Sequence, residues 1–325
     1  MSKKLFFAAF AAAGFALVGC NEKNVELPVE EQELVDLMVN VSDPATKFTS
    51  GSDGTEINDI QTFVFNADGV LEAYAHDTGT QTGKVTCTKG TKTVAVLVNA
   101  KSHSDVASYA ELCARKSDLF ENSSSGCVME GSTTAEITAT TTLDISVKRH
   151  AARLILDKVS LDIELDHYKD AEFKFTSIYL VNVAGDRTFF TENDPTVWYN
   201  QLKMDSNYVT KDIVYEACSE VLTDGGSLSK EYRFYAYQNP YTTDSQETAW
   251  SPRPTRLVVE GTFDGKNYYY PVTLKGLKAN CSYNVSLTIR RPGSTSPDTP
   301  VDKYTVTSKI TIVDWETGSS YSEVI

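Results

Sequence analysis

Histidines are the side chains best suited to acid–base or metal chemistry near neutral pH, and the sequence has four of them, His76, His103, His150 and His167. None has the spacing of a metal ligand set, and no G-x-S-x-G motif supplies a nucleophile for one of them to activate. Asp166 is adjacent to His167, but an Asp-His neighbour pair of this kind arises by chance far more often than it serves in catalysis. Glycine motifs that bind phosphates or dinucleotides are also absent from the sequence. The histidines therefore predict no enzyme, no metal site and no cofactor.

Carboxylates are the other candidates for catalysis, because the chain has 44 Asp and Glu against 30 Lys and Arg, with a net charge of −14. No pair stands out among so many, so the residues alone leave glycoside hydrolysis open as an alternative. The negative charge argues against nucleic acid and anionic lipid surfaces as partners. Aromatic side chains at Trp198-Tyr199, Trp250 and 268–270 could form a glycan-binding platform, although such residues more often fill the core of a β-sandwich.

The chemistry that the sequence indicates most clearly is lipid attachment at Cys20. Lys3 and Lys4 precede an uncharged apolar stretch, residues 5–18, whose length suits a signal peptide and is short for a membrane span. The stretch ends in Leu17-Val18-Gly19-Cys20, which resembles the lipobox of bacterial lipoproteins. We therefore expect residues 1–19 to be a lipoprotein signal peptide, and an acylated Cys20 to anchor the chain in outer-membrane lipid.

The other cysteines are Cys87, Cys113, Cys127, Cys218 and Cys281. An odd number in an exported protein leaves at least one thiol free or paired between chains. Because no C-x-x-C or regular spacing occurs, neither a disulfide framework nor a metal site is indicated. We expect isolated buried cysteines.

The spacing of apolar residues predicts a protein built mainly of short β-strands. Residues 34–41 alternate and form a candidate first strand after an acidic tether. Residues 57–65 and 70–75 flank the turn Asn66-Ala67-Asp68-Gly69, which is typical of a hairpin. Residues 91–100 are apolar almost throughout, as in a strand buried on both faces.

One short helix interrupts this pattern and is predicted over residues 104–115, with Ser102 or Ser104 as its N-cap. The strand pattern restarts at Lys148, which places a domain boundary between residues 147 and 148. The apolar alternation changes phase around Asp157-Lys158 and predicts a bulge in a long strand. Many short strands with turn signals between them favour β-sandwiches over a parallel α/β fold.

Residues 304–315 form a strongly alternating strand that follows a linker rich in proline, serine and aspartate. Tyr304, Val306, Ile310 and Ile312 share one face of this strand, and the opposite face is polar. Such a strand either completes its own sheet or pairs with the sheet edge of another molecule. The alternation alone leaves both arrangements open.

Several segments, in this order, resemble the fimbrillin family, the subunits of type V pili in Bacteroidota. They are the lipobox at Cys20, INDIQTFVFNADGVLEAY from Ile57, VKRHAARLILDKV from Val147, FKFTSIYLVNVAG from Phe173, FYAYQNP from Phe234, PTRLVVEGTFDGKNYYYPV from Pro254, and a tail that contains YNVSLTIRRPGS and ITIVDWETG. The resemblance implies two tandem transthyretin-like β-sandwich domains, residues 48–147 and 148–325, with the short helix in the first. It also implies a structural protein of the cell surface that supports adhesion.

The resemblance further implies how such subunits assemble. Residues 20–47, which hold the tether and the first strand, are removed, and the C-terminal strand of a neighbouring subunit enters the groove that remains. The donor strand here would be residues 303–315, which fill the groove through Tyr304, Val306, Ile310, Ile312 and Trp315. The expected partners are copies of the chain, other pilus subunits such as an anchor and a tip, and receptors on host or bacterial surfaces.

Processing in this family commonly follows an arginine, and no arginine precedes Arg115 in this sequence. We therefore expect cleavage after Lys47, a basic residue in the loop behind the first strand. If the first strand stays in place, the alternative is an outer-membrane lipoprotein that does not polymerise, either a pilus anchor subunit or a binder of glycans or host proteins.

Overall fold

The computed structural model of the chain describes residues 33–42, 54, 56–203, 207–228, 230–244, 250–314 and 320–324. These residues form mainly β-strands, so the prediction of an all-β protein with one short helix is confirmed. No helix among them is long and apolar enough to cross a lipid bilayer. The strands of the first part are β1 (Leu34–Ser42), β2 (Asp59–Phe65), β3 (Leu71–Thr78), β4 (Thr82–Thr88), β5 (Gly90–Val98), β6 (Lys116–Asp118), β7 (Met129–Ile137), β8 (Thr141–Ser146) and β9 (Lys148–Arg149).

Two sheets face each other in this first part. One has the strand order β3-β2-β5-β7-β9, and the other has the order β4-β1-β8. Together they enclose an apolar cluster to which strands of both sheets contribute. The predicted burial of β5 on both faces is confirmed, because Val94 and Val96 lie in this cluster while Ala95 and Leu97 lie in a second cluster on the other side of the sheet.

The predicted hairpin is present as β2 and β3. Asn66 Oδ1 accepts hydrogen bonds from the backbone N–H groups of Asp68 and Val70, each over 3.0 Å. Gly69 has a φ of +76°, a left-handed conformation that glycine adopts without the steric cost of a Cβ. The turn residues therefore explain locally why the chain reverses here.

The predicted helix is present as α1 (Tyr109–Ala114), but it begins later than expected. Neither Ser102 nor Ser104 caps it; the hydroxyl of Ser108 accepts the N–H of Glu111 instead. The chain before α1 is occupied by pairing with the hairpin, since Leu71 N donates to Ala107 O and Tyr109 N donates to Gly69 O, both over 2.9 Å. Tertiary hydrogen bonds thus outweigh the helical pattern of residues 104–108.

The second part of the chain continues in strands, with a short 3₁₀ helix at Asp166–Tyr168; another 3₁₀ helix, Leu119–Glu121, follows β6 in the first part. Its strands are β10 (Ala151–Leu161), β11 (Phe173–Val181), β12 (Val183–Ala184), β13 (Asp186–Thr188), β14 (Trp198–Tyr199), β15 (Tyr215–Ala217), β16 (Val221–Leu222), β17 (Tyr232–Tyr237), β18 (Thr255–Phe263), β19 (Lys266–Leu274), β20 (Cys281–Ile289), β21 (Val306–Asp314) and β22 (Ser320–Val324).

Two larger sheets make up this second part, with the orders β17-β10-β20-β21-β22 and β15-β11-β18-β19, and with β16 also paired to β11. Their buried side chains form a continuous apolar cluster. The register of β10 against β20 shifts between Leu156 and Lys158, so the predicted bulge is confirmed. The domain boundary at residues 147–148 stays a prediction.

The two parts share a strand pair and an apolar cluster. Strand β6 pairs antiparallel with β13, so that Ser117 lies opposite Arg187. Phe189, just after β13, is fully buried among side chains of the first part, including Phe63 and Leu112. This aromatic side chain therefore anchors the second part to the first.

Replacing Phe189 with alanine is expected to lower the free energy of unfolding by about 3–5 kcal/mol, because a fully buried ring leaves a cavity when removed. Urea denaturation of the purified chain measures the change. The half-buried neighbour Phe190 supplies the control, since Phe190→Ala should cost clearly less. Equal losses for the two variants would contradict the anchoring role.

Candidate assembly site

Strand β1 is the central strand of its sheet and separates two strands that do not pair with each other. It runs antiparallel to β4 and parallel to β8, with Leu37 opposite Val85 on one side and Thr141 on the other. Without β1, both neighbours would present unpaired backbone N–H and C=O groups to the space between them. The candidate assembly site is therefore the groove between β4 and β8, which β1 fills in this structure.

The inward side chains of β1 complete the apolar cluster of the first part. Val35, Leu37, Val39 and Val41 are 7, 0, 0 and 4% exposed, whereas the outward Leu34 is 59% exposed. Burying one such side chain contributes about 1.5–3 kcal/mol, so the four together contribute roughly 6–12 kcal/mol. The groove thus holds its strand mainly by apolar burial and backbone pairing.

Polar contacts line the outer rim of the groove. The Asp36 carboxylate forms an ion pair with Lys84 Nζ over 2.9 Å and accepts a hydrogen bond from the Thr86 hydroxyl over 3.0 Å. On the other side, Asn40 Nδ2 donates to Asp144 Oδ1 over 3.0 Å. The hydrogen bonds from Lys84 and Thr86 lower the pKa of the Asp36 carboxyl. Exposed pairs of this kind add little stability, so their main effect is on the register of the strand.

Two predicted site residues, one on each side of β1 in the sequence, lie outside the described residues. Cys20 precedes the first of them, and Lys47 falls between β1 and Gly54. Lys47 is therefore in the segment that connects β1 to the rest of the chain. A cut there would leave β1 held in the groove by non-covalent contacts alone.

The predicted donor strand is present as β21 and lies in its own sheet, between β20 and β22. Val306, Ile310 and Ile312 are only 6, 3 and 8% exposed and belong to the apolar cluster of the second part. Tyr304 precedes the strand and is 59% exposed, and Trp315 lies outside the described residues. Of the two arrangements that the sequence left open, this structure contains the intramolecular one.

The linker before β21 is attached to the body at several points. The buried Arg256 donates from Nη1 to the carbonyl oxygens of Pro297 and Asp298, over 3.3 and 2.8 Å. Tyr270 Oη donates to the carbonyl of Arg291 over 3.0 Å. Release of β21 would therefore involve this linker as well as the strand pairs.

One cluster that the sequence did not predict has the residue types of a serine hydrolase. His150 Nδ1 lies 2.9 Å from Ser117 Oγ, and His150 Nε2 lies 2.9 Å from Glu130 Oε2. Burial lowers the pKa of His150, and both His150 and Ser117 are at most 1% exposed, so a substrate has no access to them. The hydroxyl of Tyr237 donates to Ser117 Oγ over 2.9 Å. These contacts connect strands and serve packing.

The aromatic side chains that could form a glycan-binding platform do not lie on one surface: some are in the core, and others pack against one another. Tyr270 is fully buried, in line with the expectation that such residues fill a core. Trp198 packs against Trp250 and Tyr241, with ring centroids 5.3 and 5.9 Å apart. Within the part of the chain that the structure describes, no group of three or more His, Cys, Asp or Glu side chains could hold a metal ion.

Cys87 is the cysteine that bears on the groove. No disulfide joins the five described cysteines, of which Cys113 is half-buried and the others are buried. Cys87 is 1% exposed, pairs with Val35 of β1 and belongs to the apolar cluster that β1 completes. Burial also raises the pKa of this thiol, which keeps it unreactive while β1 is in place.

Loss of β1 is expected to make Cys87 at least about 100-fold more reactive towards an alkylating reagent, because the thiol then faces solvent. Mass spectrometry of the alkylated peptides measures the rate before and after cleavage behind β1. Cys218, in the core of the second part, is the control and should stay protected. Continued protection of Cys87 in the cleaved chain would show that β1 had not left.

Comparison with known proteins agrees with this architecture. The family model described as major fimbrial subunit protein (FimA) matches residues 33–159, which include β1 and the groove. No curated protein matches the sequence. The resemblance to fimbrillins drawn from the sequence is therefore confirmed by the family model over this segment.

Solved structures extend the likeness to most of the chain. A candidate cell adhesion protein from Bacteroides eggerthii has a TM-score of 0.69 and 17% identity, over 87% of this chain and 96% of that one. A fimbrilin (FimA) from Porphyromonas gingivalis has a TM-score of 0.63 and 16% identity, over 86% and 97%. A further candidate adhesion protein, from Parabacteroides distasonis, has a TM-score of 0.60 and 16% identity, over 87% and 99%. At these identities the likeness establishes a fimbrilin fold.

Proposed function

We propose that this chain is a structural subunit of a cell-surface pilus that polymerises by strand donation. The subunit is exported as a lipoprotein acylated at Cys20 and is cleaved after Lys47, which releases β1. The C-terminal strand of a neighbouring copy then enters the groove between β4 and β8. The observation that carries the proposal is the position of β1, which lies between β4 and β8 and buries its apolar side chains there.

Strand β21 has the properties required of the replacement. It spans nine residues, as β1 does, and between Val306 and Ile312 its inward side chains are apolar except Ser308, while its outward side chains are polar. An empty groove would expose unpaired backbone groups and apolar side chains, which only a matching strand covers. Donation from one end of each copy to the groove of the next does not close on itself and so gives a filament.

The proposal places the mature protein in a pilus on the cell surface, with copies of itself, an anchor and a tip as partners and with adhesion as its role. We divide it into sandwich domains at residues 48–147 and 148–325. The precursor is held in outer-membrane lipid through Cys20 until cleavage. The protein has no catalytic role in this proposal.

The experiment that tests the proposal is mass spectrometry of the mature N-terminus, on SDS-resistant material from the cell surface. A start near Phe48 on a ladder of multimers is expected, because cleavage must precede donation. An acylated Cys20 on a monomer would overturn the polymer-forming function. It would support the alternative, an anchor subunit or a binding lipoprotein. The structure favours that alternative in one respect, since β1 and β21 each complete a sheet within their own chain.

A further inference from the structure

The floor of the groove contains a buried hydroxyl that β1 leaves without a hydrogen bond. Thr62 of β2 is fully buried, and its Oγ1 has no partner among the described residues. Gly83 of β4 makes room for this hydroxyl, because a Cβ on Gly83 would collide with Thr62 Oγ1. Gly83 is the residue directly opposite Val39 of β1. Since paired residues have their Cβ positions about 4.5–5.5 Å apart, the hydroxyl lies beside the Val39 side chain, which offers it nothing polar.

The rim of the groove carries opposite charges at two different positions along the strand. Lys84 is opposite Met38, and Asp144 is opposite Asn40. A strand that replaces β1 therefore meets a cation at one outward position and an anion at the next. Rim charges of this kind discriminate between registers, because like charges placed side by side repel.

The C-terminal strand has one polar inward side chain, Ser308, followed by one outward cation, Lys309. We propose that a second copy of this chain inserts residues 304–310 in the direction of β1, with Ser308 in the place of Val39 and Lys309 in the place of Asn40. Ser308 then bonds Thr62 Oγ1, and Lys309 pairs with Asp144. This proposal rests on the proposed function and adds to it the residues that set the register.

The two cues are independent of each other and agree on one register. A shift by one residue turns the apolar side chains outward, so only shifts by two residues compete. One such shift places Lys309 at Met38, opposite Lys84, and Ser308 at the apolar Leu37 position. The next shift places Lys309 at Asp36, the carboxylate that Lys84 now bonds. Lys84 therefore disfavours both of these shifts by charge. The opposite shift, with Lys309 at Ser42, moves Ile310 past the end of β1.

The remaining side chains are compatible with the proposed register. Tyr304 takes the place of Val35 at the end of the groove, Val306 that of Leu37 and Ile310 that of Val41. Ile312, which the sequence predicted to fill the groove, then lies past the position of Ser42, the last residue of β1. Lys309 is exposed in the present structure, so substitutions there leave the monomer intact. Register and fold are thus separable by mutation.

Engineered disulfides in the assembled filament test the register directly. The double variant Lys309→Cys/Asp144→Cys should give a covalent ladder under non-reducing conditions, and Lys309→Cys/Lys84→Cys should not. Lys309→Cys alone is the control for linkage to native cysteines. A ladder from the Lys84 pair, with SDS-resistant multimers present, would overturn the register and leave strand donation standing. Absence of multimers from the unmodified chain would instead overturn the proposed function.

Charge reversal gives a second measurement with opposite signs for the competing registers. Lys309→Glu should reduce multimer yield at least about tenfold, because it places two carboxylates side by side, and Asp144→Lys in the same chain should restore the yield. Had Lys309 faced Lys84, Lys309→Glu would raise the yield, and that result would overturn the proposal.

The buried hydroxyl makes a distinct prediction for Thr62→Val, which keeps the shape of the side chain. The unprocessed monomer should unfold at a higher urea concentration, because an unpartnered hydroxyl is removed. The filament should dissociate about fivefold faster, because the bond from Ser308 is lost. A filament stabilised in parallel with the monomer would show that Ser308 does not reach Thr62.

Discussion

A disulfide that holds β21 in its own sheet is expected to abolish polymerisation reversibly. Asn284 and Thr311 are directly opposite each other on β20 and β21, and both are partly exposed. The variant Asn284→Cys/Thr311→Cys should therefore remain monomeric when oxidised, since the donor strand cannot leave. Reduction should restore SDS-resistant multimers to the level of the unmodified chain. Electrophoresis of surface material before and after reduction measures both states.

The control for this lock is a disulfide between strands that stay together. Thr93 and Thr134 face each other across β5 and β7, with their hydroxyl oxygens 3.3 Å apart. Thr93→Cys/Thr134→Cys should polymerise whether oxidised or reduced. Multimers from the oxidised β21 lock would show that another segment joins the subunits, and strand donation by β21 would have to be abandoned.

Removal of β1 is expected to destabilise the first part of the protein severely. A chain that begins at Gly54 lacks four buried aliphatic side chains, worth roughly 6–12 kcal/mol. Whole domains are stable by about 5–15 kcal/mol, so this loss is large enough to unfold residues 56–149. A synthetic peptide of residues 303–314 should restore cooperative thermal unfolding by filling the groove. Calorimetry with and without the peptide measures the effect.

Two further peptides sharpen this experiment. A peptide of residues 33–43 contains β1 itself and should restore stability at least as well. The donor peptide with Ile310→Asp should fail, because it would bury a carboxylate in the apolar groove. A truncated chain as stable as the full one, and indifferent to all three peptides, would contradict the description of the groove.

Local features of the fold were predictable because local chemistry determines them. The turn at Asn66–Gly69 can be predicted from four consecutive residues, because an Asn side chain and a glycine determine its geometry. The bulge of β10 follows from a change in the alternation of apolar and polar residues. The start of α1 was predicted wrongly, since hydrogen bonds to the distant hairpin turn hold residues 107–109. Local pattern carries no information on such partners.

The groove itself was only partly predictable. The alternation of β1 identified a strand, but its partners β4 and β8 begin about 50 and 100 residues away, and pairing over such distances leaves no local trace. The relation between Gly83 and Thr62 depends on two sheets packing face to face. Likewise, tertiary packing alone brings together Ser117, Glu130 and His150, so no sequence motif predicted this cluster. Cys20 and Lys47 lie outside the described residues and stay predictions.

The placement of β1 between two partners has a mechanical consequence for any strand that replaces it. A strand hydrogen-bonded along both edges and pulled lengthwise is loaded in shear, so its backbone hydrogen bonds share the force. A strand peeled from a sheet edge breaks those bonds one after another. Resistance to forced separation depends on the rate of barrier crossing more than on equilibrium affinity. A linkage seated between β4 and β8 therefore combines slow rupture under tension with the ability to form from a single exchanged strand.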